Sequence, residues 1–374
     1  MPGQSSARFV CAASGATYPL TDRRWRCDSG GLLDLEFEPA FPRELIVARP
    51  PGMWRYREAI PVFDDDAIVS FGEGFTPMVP VRFGERTVLI KQEQLFPSAS
   101  YKDRGASVLI SHAREIGVSR VVEDSSGNAG TAVAAYCARA GIDCEIFVPA
   151  DTSSGKLAQI RSYGATLNLV PGSREDTAAA VLAAADADYY ASHSYNPFFF
   201  HGTKTFAFEV WEQLGWTAPD AVVLPAGNGT LLLGVAIGFA ELRRAGLIAK
   251  QPTLFGVQAQ NCAPLAAAFR AGDTEPSAVA TTPTIAEGIA IAAPVRGAQI
   301  IAAVRESGGR IVTVSEAEIK TAHREMSRQG FCIEPTSAAT IAAIDQIAAS
   351  LPADATIVSL FSGHGLKAPE KLPV

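Results

Sequence analysis

Short runs of β-branched and other apolar residues alternate with alanine-rich helical stretches along most of the chain after residue 87. This alternation predicts parallel strands that are covered by helices on both faces of a sheet, because a fully buried strand is apolar along its whole length. The predicted strands are residues 88–91, 121–123, 145–148, 165–170, 221–224, 254–257, 311–314 and 356–360. We therefore predict an α/β fold with open, mainly parallel sheets.

The same pattern divides the chain into three predicted parts. Residues 1–70 contain no long periodic segment, and the proline-rich stretch at 39–61 predicts an extended arm packed over the rest. Residues 106–196 hold successive strand–helix units, which predict a smaller inserted α/β domain. Residues 71–105 and 197–374 would together form the larger domain.

Composition and charge narrow the classes of function. The chain is 48% hydrophobic and 19% charged, as is typical of a compact protein, and its net charge of −7 implies no basic face for nucleic acid or anionic lipid. The longest uncharged stretch, residues 221–240, is interrupted by Pro225 and G-N-G-T, which predicts a strand, a loop and a helix rather than a membrane span. The N-terminus shows no secretory pattern, so we expect a cytoplasmic protein with neither nucleic acid nor membrane as partner.

The six cysteines show no disulfide-scaffold spacing and fit a reducing compartment. Cys11 and Cys27 begin the segments C-A-A-S-G and C-D-S-G-G, which look like two zinc knuckles in which Ser14 and Ser29 replace the second sulfur. Two thiolates do not fill a tetrahedral zinc site, so we expect no metal.

Lys102 lies in the segment S-Y-K-D-R-G, between an apolar strand with its proline-containing loop and a predicted helix that runs to residue 116. One interpretation is a solvated lysine in the first turn of the helix, beside Asp103 and Arg104. The other is an amine in a partly desolvated pocket, where it can form a Schiff base with an aldehyde cofactor.

Three further loops follow predicted strands. In S-S-G-N-A-G, residues 125–130, amides at a helix start suit a carboxylate, although Asn128 could be only an N-cap. The glycine-rich residues 227–230 suit a phosphate, and because the spacing of a dinucleotide fingerprint is missing, a phosphate monoester fits better than a pyrophosphate. Ser362 begins S-G-H-G-L-K, in which His364 is either a structural hydrogen-bonding residue or a general base.

Taken in this order, the loops resemble those of fold type II pyridoxal-phosphate enzymes, and among them the threonine synthases. The resemblance spans about residues 71–367 and includes E-G-F-T-P at 73–77, K-L-A-Q-I-R-S-Y-G-A at 156–165, N-P-x-x-x-x-G-T-K-T at 196–205 and E-P-T-S-A-A at 334–339. It implies the fold type II architecture with two α/β domains, pyridoxal 5'-phosphate as cofactor, a small amino acid as substrate, and a homodimer.

The resemblance also implies roles for individual residues. The residues implied to bind the cofactor are Lys102, Asn128, Gly227, Asn228, Gly229, Thr230 and Ser362. Lys102 would form the Schiff base, Asn128 would bond the phenolic oxygen, and the glycine-rich loop would hold the phosphate. Ser362 would face the pyridine nitrogen, and because a hydroxyl cannot protonate it as a carboxylate can, the ring would be a weaker electron sink. The residues implied to contact the substrate are Ser125, Ser126, Gly127, Ala129, Phe199 and Lys204.

Two of these positions depart from the threonine synthase pattern. Ala129 and Phe199 stand where enzymes that use O-phosphohomoserine typically have Thr and Arg, and Phe cannot clamp a phosphate. The segment T-I-A-E-G-I-A at 284–290 resembles serine and threonine ammonia-lyases instead. The expected activity is therefore threonine synthesis, with a lyase or β-replacement enzyme on a phosphate-free amino acid as the alternative. A non-catalytic binding paralogue and a nucleotide-binding Rossmann protein are further interpretations.

Overall fold

The computed structural model describes residues 7–125, 127–150, 152, 154–172 and 174–373. Its strands are β1 (Arg8–Cys11), β2 (Thr17–Pro19), β3 (Leu33–Glu36), β4 (Met78–Phe83), β5 (Arg86–Lys91), β6 (Arg120–Glu123), β7 (Asp143–Pro149), β8 (Thr166–Val170), β9 (Tyr189–Tyr190), β10 (Ala221–Pro225), β11 (Thr253–Ala259), β12 (Arg310–Val314) and β13 (Ile357–Leu360). All eight strands predicted from the apolar runs are present, with ends that differ by no more than two residues.

The helices lie between these strands, as the alternating pattern predicts. They are α1 (Arg43–Ala48), α2 (Lys102–Glu115), α3 (Asn128–Ala140), α4 (Ser154–Ser162), α5 (Arg174–Ala184), α6 (Pro197–Thr203), α7 (Thr205–Gln213), α8 (Thr230–Arg244), α9 (Pro264–Ala271), α10 (Gly297–Glu306), α11 (Glu316–Arg328), α12 (Pro335–Ala342) and α13 (Ile344–Ala348). None of the helices among the described residues is long and apolar enough to cross a membrane. Residues 221–240 form β10, a loop and part of α8, as predicted.

The chain divides into two compact units. One combines Met1–Gly74 with Lys102–Thr203, and the other combines Phe75–Tyr101 with Lys204–Val374. The N-terminal segment, which was predicted to be an arm packed over the rest, therefore shares a unit with the inserted segment. Lys102 begins the second segment of the first unit.

The first unit contains an antiparallel and a parallel sheet. Strands β1 to β3 form the antiparallel sheet in the order β2-β1-β3. The stretch at 39–61, which was expected to be extended, instead contains α1 and a 3₁₀ helix at Met53–Ala59. Three short strands without a long periodic run escape detection by pattern, but Phe9, Cys11 and Leu33 are buried on the sheet's inner face. The parallel sheet has the order β8-β7-β6-β9, and α2, α3 and α6 pack together in this unit.

The second unit is built on a six-stranded sheet with the order β12-β11-β10-β13-β5-β4. All neighbouring strands are parallel except β4 and β5. The central strands β10 and β13 are buried along their whole length, as expected when helices cover both faces of a sheet. Their carboxyl ends lead into the glycine-rich loop at 227–230 and into Ser362, so this edge of the sheet presents both predicted cofactor loops.

Candidate active site

Lys102 lies against an aromatic ring in the first unit. It is partly buried, and its Nζ is 5.7 Å from the ring centroid of Phe199. Phe199 is fully buried and touches α2 so closely that a Cβ added to Gly105 would lie 2.2 Å from its ring. Asp103 and Arg104 are themselves fully buried. This setting does not fit a solvated first-turn lysine beside two exposed charges.

The S-S-G-N-A-G loop turns directly into α3. Gly127 is the N-cap and offers no side-chain cap, so Asn128 is the first helical residue and its interpretation as an N-cap is wrong. A Cβ at Gly130 would lie 1.8 Å from the carbonyl oxygen of Ser125, which means that only glycine lets the loop fold back onto the first turn. Ala129 is buried in that turn. The start of α3 therefore presents amides that suit a carboxylate.

Ser125 is held by a buried acid that the sequence analysis did not single out. Its backbone N–H donates to the carboxylate of Glu123 at the end of β6, and its Oγ accepts from the N–H of Gly127 at 3.3 Å. Glu123 also lies 2.7 Å from Nδ1 of His193, whose ring is 6.1 Å from that of Phe199. The predicted substrate residue Ser126 lies outside the described residues.

The glycine-rich loop of the second unit is shaped around its glycines. Gly229 is the N-cap of α8 with φ +70°, and a Cβ there would lie 2.3 Å from Cδ1 of Ile300. A Cβ on Gly227 would approach the carbonyl oxygen of Gly288 to 3.0 Å. The first turn of α8 contains no acidic residue, so its amides and the helix dipole favour an anion.

Tyr101, the residue before Lys102, is bonded to both cofactor loops of the second unit. Its N–H donates to the carbonyl oxygen of Ser362 at 3.1 Å, and its hydroxyl is 2.9 Å from Oγ1 of Thr230. Nearby, the N–H of His364 donates to the carbonyl oxygen of Ala99 at 3.0 Å. The segment that leads into Lys102 is therefore fixed to the loops at 227–230 and 362–364.

Ser362 is fully buried within a network of polar side chains. Its hydroxyl donates to Oε1 of Glu334 at 2.8 Å and lies 3.0 Å from Oγ of Ser337, which in turn accepts from the N–H of Ser362 at 2.8 Å. His364 has a structural contact instead, because its Nδ1 accepts from the N–H of Leu366 and caps the short turn that follows.

Lys204 has a partner that the sequence analysis did not foresee. It is fully buried, and its Nζ lies 2.8 Å from Oε1 of Glu241 on α8. Desolvation lowers the pKa of Lys204, while the charge of Glu241 opposes that effect. The resemblance implied that Lys204 contacts the substrate. Its ion pair with Glu241 favours a structural role instead.

The degenerate knuckles of the first unit do come together. Sγ of Cys11 and Sγ of Cys27 are 2.7 Å apart, and Oγ of Ser29 lies 3.1 Å from Cys27. The hydrogen bond with Cys27 lowers the pKa of the Cys11 thiol to about 6. Among the described residues, no group of three or more His, Cys, Asp or Glu side chains is arranged to hold a metal ion.

Several of these contacts were missed because their partners are distant in sequence. Glu334 and Ser337 belong to the motif E-P-T-S-A-A, but nothing in that motif indicated their contact with Ser362. The local signal was the proline after Glu334, which predicts the start of a helix and begins α12. Tyr101 stood beside Lys102 without any sign of its bonds to two loops. Nothing in the local pattern pointed to Glu123 and His193.

Comparison with known proteins decides the family. A family model described as pyridoxal-phosphate dependent enzyme matches residues 69–363. The chain belongs to this family. A threonine synthase of Methanocaldococcus jannaschii is 35% identical over 96% of this chain and 93% of its own length. A threonine synthase of Mycobacterium bovis is 36% identical over 84% of this chain and 88% of its own.

Solved structures agree on the fold. A threonine deaminase from T.th. has a TM-score of 0.66 at 26% identity, covering 78% of this chain and 92% of that one. A pyridoxal 5'-phosphate-dependent aspartate racemase has a TM-score of 0.68 at 26% identity, covering 80% and 93%. The predicted fold type II class and the threonine synthase resemblance are confirmed, and the enzyme is a pyridoxal-phosphate-dependent lyase. The relatives do not favour the alternative functions.

The residues present fit this cofactor. Gly227 and Gly229 leave room that a Cβ would fill, at the start of a helix whose first turn has no acidic side chain. Such a cradle suits a phosphate monoester. Lys102 supplies a primary amine directly after the segment that is bonded to this cradle.

Proposed function

We propose that this chain converts O-phosphohomoserine and water into threonine and phosphate. The observation that carries the proposal is the pair of hydrogen bonds made by Tyr101, which ties the segment before Lys102 to Thr230 and Ser362. A reactive amine has to be held at a fixed distance from the phosphate cradle and from the ring-facing residue, and these two bonds fix the chain on its N-terminal side. Relatives named threonine synthase, at 31–36% identity, supply the reaction class.

The proposal assigns the cofactor contacts as the sequence analysis did. Gly227, Asn228, Gly229 and Thr230 hold the phosphate, Asn128 bonds the phenolic oxygen, and Ser362 faces the pyridine nitrogen. When bound, pyridoxal 5'-phosphate supplies an aldehyde for covalent attachment and a ring that withdraws electrons from the substrate's α carbon.

Lys102 is the catalytic residue of the proposal. Its Nζ would take the proton from the substrate's α carbon and would return protons as phosphate leaves the γ carbon and water adds at the β carbon. The ring of Phe199, 5.7 Å away, shields one side of this amine from water. Excluding water from this side of the site limits proton exchange with solvent and side reactions.

The amides at the start of α3 would bind the substrate's carboxylate. Ser125, Ser126 and Gly127 belong to this loop, and its N-cap glycine leaves the first amides without a side-chain partner from residue 127. Bonds from amide donors at a helix N-terminus fix the amino-acid end of the substrate, so that the γ carbon with its leaving group is directed away from α3.

The proposed substrate carries a phosphate group that the pocket has to bind. Phe199 and Ala129 are buried and apolar, and Lys204 is paired with Glu241. An unpaired phosphate in a desolvated pocket would be strongly penalised.

Wild-type kinetics therefore test the identity of the substrate directly. Coupled release of phosphate and threonine from O-phosphohomoserine would support the proposal, whereas ammonia and a 2-oxo acid from threonine or serine would replace it with the lyase reaction.

The role of Lys102 has a separate test. We expect Lys102→Ala to retain cofactor through the phosphate cradle but to lose threonine formation. The matched control is Lys320→Ala, which removes an exposed lysine on α11 and should leave turnover unchanged. Borohydride reduction of the loaded wild type followed by peptide mapping should label Lys102, and a label on any other lysine would reject the assignment.

The assembly and location of the enzyme are part of the same proposal. We expect a homodimer in the cytoplasm that acts on a free amino acid. Light scattering of the cofactor-loaded protein should give twice the chain mass of 39.4 kDa, and a monomer mass would contradict this part.

A further inference from the structure

The end of β6 carries a buried carboxyl group that bonds to two different segments of the first unit. Glu123 is the last residue of β6 and is fully buried. Its Oε2 accepts from the backbone N–H of Ser125, and its Oε1 lies 2.7 Å from Nδ1 of His193. Burial of a carboxyl group is costly unless its oxygens have partners, and here each oxygen has one. Glu123 therefore joins the S-S-G-N loop to the segment that contains His193.

Strand pairing brings these two segments together. β6 and β9 are parallel neighbours, with Val122 beside Tyr190. The N–H of Ala191 donates to the carbonyl oxygen of Val122 at 2.9 Å and continues this pairing beyond β9. Because parallel strands end at the same edge of a sheet, Glu123 and the residues after Tyr190 leave the sheet side by side.

The bond from Glu123 fixes the first residue of the S-S-G-N loop. The N–H of Ser125 is used by Glu123, and its Oγ accepts from the N–H of Gly127 at 3.3 Å. Its carbonyl oxygen lies 1.8 Å from where a Cβ on Gly130 would be. Ser125 is thus held between the end of β6 and the first turn of α3, whose amides suit a carboxylate.

The Glu123–His193 pair also lies near the catalytic lysine. The partly buried ring of His193 is 6.1 Å from the ring of Phe199, and Lys102 Nζ is 5.7 Å from the centre of that same ring. All of these residues belong to the first unit. The pair is therefore part of the candidate site.

We propose that Glu123 is a positioning residue, held by His193, that sets the S-S-G-N loop for the carboxylate of an α-amino acid. The proposal rests on the part of the proposed function that assigns this carboxylate to the start of α3. The effect comes from hydrogen bonds and not from charge. In either protonation state Oε2 accepts from Ser125, while Oε1 accepts from Nδ1–H when ionised and donates to an unprotonated Nδ1 when neutral.

The test compares variants that keep or lose these two bonds. Wild type, Glu123→Leu, Glu123→Gln and His193→Leu are loaded with pyridoxal 5'-phosphate and titrated with L-threonine, with the cofactor's absorbance as the readout. We expect the affinity to fall at least about tenfold in Glu123→Leu, and by a smaller factor in His193→Leu, which keeps the bond to Ser125. Glu123→Gln should stay within about threefold of wild type, because its amide oxygen accepts from Ser125 and its NH₂ donates to Nδ1.

Steady-state kinetics with O-phosphohomoserine add a second readout. In Glu123→Leu the KM should rise while kcat changes less, because the carboxylate is bound both before and during the reaction. A loss confined to kcat would contradict a role in positioning the carboxylate loop.

Glu115 provides a matched control in the same unit. It accepts from two backbone N–H groups of the N-terminal segment and lies 3.4 Å from Nδ1 of His112, so it too joins amides to a histidine. It ends α2, about 20 Å along the helix from Lys102. We expect Glu115→Leu to lose stability, as Glu123→Leu does, but to bind L-threonine like wild type. Unfolding curves establish that each variant is folded at the assay temperature.

Three titration results would overturn the proposal: wild-type affinity in Glu123→Leu, an equal loss in Glu123→Gln, or an equal loss in Glu115→Leu. If Glu123→Leu does not fold, the proposal requires a loss in His193→Leu and wild-type affinity in Glu123→Gln. If threonine forms from O-phosphohomoserine but the variants bind L-threonine alike, the inference fails and the proposed function stands. If the affinity for L-threonine depends on Glu123 but no threonine forms, the proposed function fails alone.

Discussion

Gly229 and Gly246 have the same backbone conformation in different surroundings. Both have φ +70°, but a Cβ on Gly229 would meet Ile300 at 2.3 Å, and a Cβ on Gly246 would meet open space. We expect Gly229→Ala and Gly246→Ala each to lose about 1 kcal/mol of stability from the positive φ. Only Gly229→Ala should also lose cofactor affinity, by at least about tenfold, because its loop must move. Unfolding curves and cofactor titrations of both variants measure the two effects separately.

The comparison of the two glycine variants separates strain from binding. If Gly246→Ala also loses cofactor, the loss reflects general destabilisation. If neither variant loses it, the phosphate is bound elsewhere than at 227–230.

Position 199 shows how much a single residue's meaning depends on its neighbours. In the sequence, Phe199 was significant because it replaces an arginine. In the structure it is a buried ring packed on Gly105, with Lys102 Nζ 5.7 Å from its centre. An arginine installed at 199 would therefore have to displace packing against α2 before it could reach a phosphate. This cost is absent from any argument based on charge alone.

At the scale of elements, a buried ion pair joins the start of α7 to α8. Lys204 precedes α7, Glu241 lies on α8, and a Cβ on Gly238 would lie 2.6 Å from the carbonyl oxygen of Lys204. We expect Lys204→Met to lose about 3–5 kcal/mol of stability, because it leaves the Glu241 carboxylate buried without its cation. The double variant Lys204→Met/Glu241→Leu should recover most of that loss in chemical denaturation.

The same double variant tests the predicted substrate contact of Lys204. A purely structural residue leaves the KM for substrate unchanged once stability is restored. A large rise in KM in the stable double variant would instead support the contact with substrate.

The packing of α2 on α6 predicts a pH dependence of stability. The buried ring of His112 stacks on Phe198, with centroids 3.6 Å apart, and desolvation lowers the pKa of His112 although Glu115 opposes the shift. The unfolded chain therefore takes up this proton first as pH falls. The contribution of the neutral His112 ring to the free energy of unfolding is complete above the unfolded-state pKa of about 6.5. It is lost as the pH falls below that value.

The measurement compares the stability of wild type and His112→Leu between about pH 7.5 and about pH 5.5, which lie ~1 unit on either side of the ordinary histidine pKa. The variant should show a shallower loss of unfolding free energy toward about pH 5.5. The pKa of Glu115 is lowered, so its stabilising contribution is present above its ordinary value of 4.5, is lost only below that value, and stays outside this window. Equal slopes in the two proteins would show that His112 takes up its proton without cost in the folded state.

At the scale of the whole molecule, cofactor binding should stabilise the enzyme. A ligand that binds only the folded state adds about 2.7 kcal/mol when present at 100 times its dissociation constant. Removal of pyridoxal 5'-phosphate should therefore lower the Tm, and its return should restore it. Pyridoxal lacks the phosphate, so it should restore less of the Tm if the loop at 227–230 contributes much of the binding affinity for the cofactor. Equal recovery with pyridoxal would contradict that role.

The sequence alone determined the layered α/β architecture and the order of the chemical loops. A buried parallel strand has to be apolar along its length, so each of the eight runs from residue 88 to 360 was recognisable locally. Lys102, the S-S-G-N loop and the glycine-rich loop were recognisable because short motifs at the starts of helices depend on neighbours in sequence. Strands β1 to β3 were not recognisable, since each is only three or four residues long.

Tertiary structure alone decided which side chains meet. Glu334 reaches Ser362 across 28 residues, Tyr101 reaches Thr230 across 129, and Lys204 finds Glu241 across 37. No local preference encodes such pairs, because they arise when the sheet order brings separate loops to one edge. The same is true of Asn128, whose place one residue inside α3 depends on how Gly127 and Gly130 let the loop fold back. Motifs specify the available chemistry, and the packing of the chain determines each residue's partner.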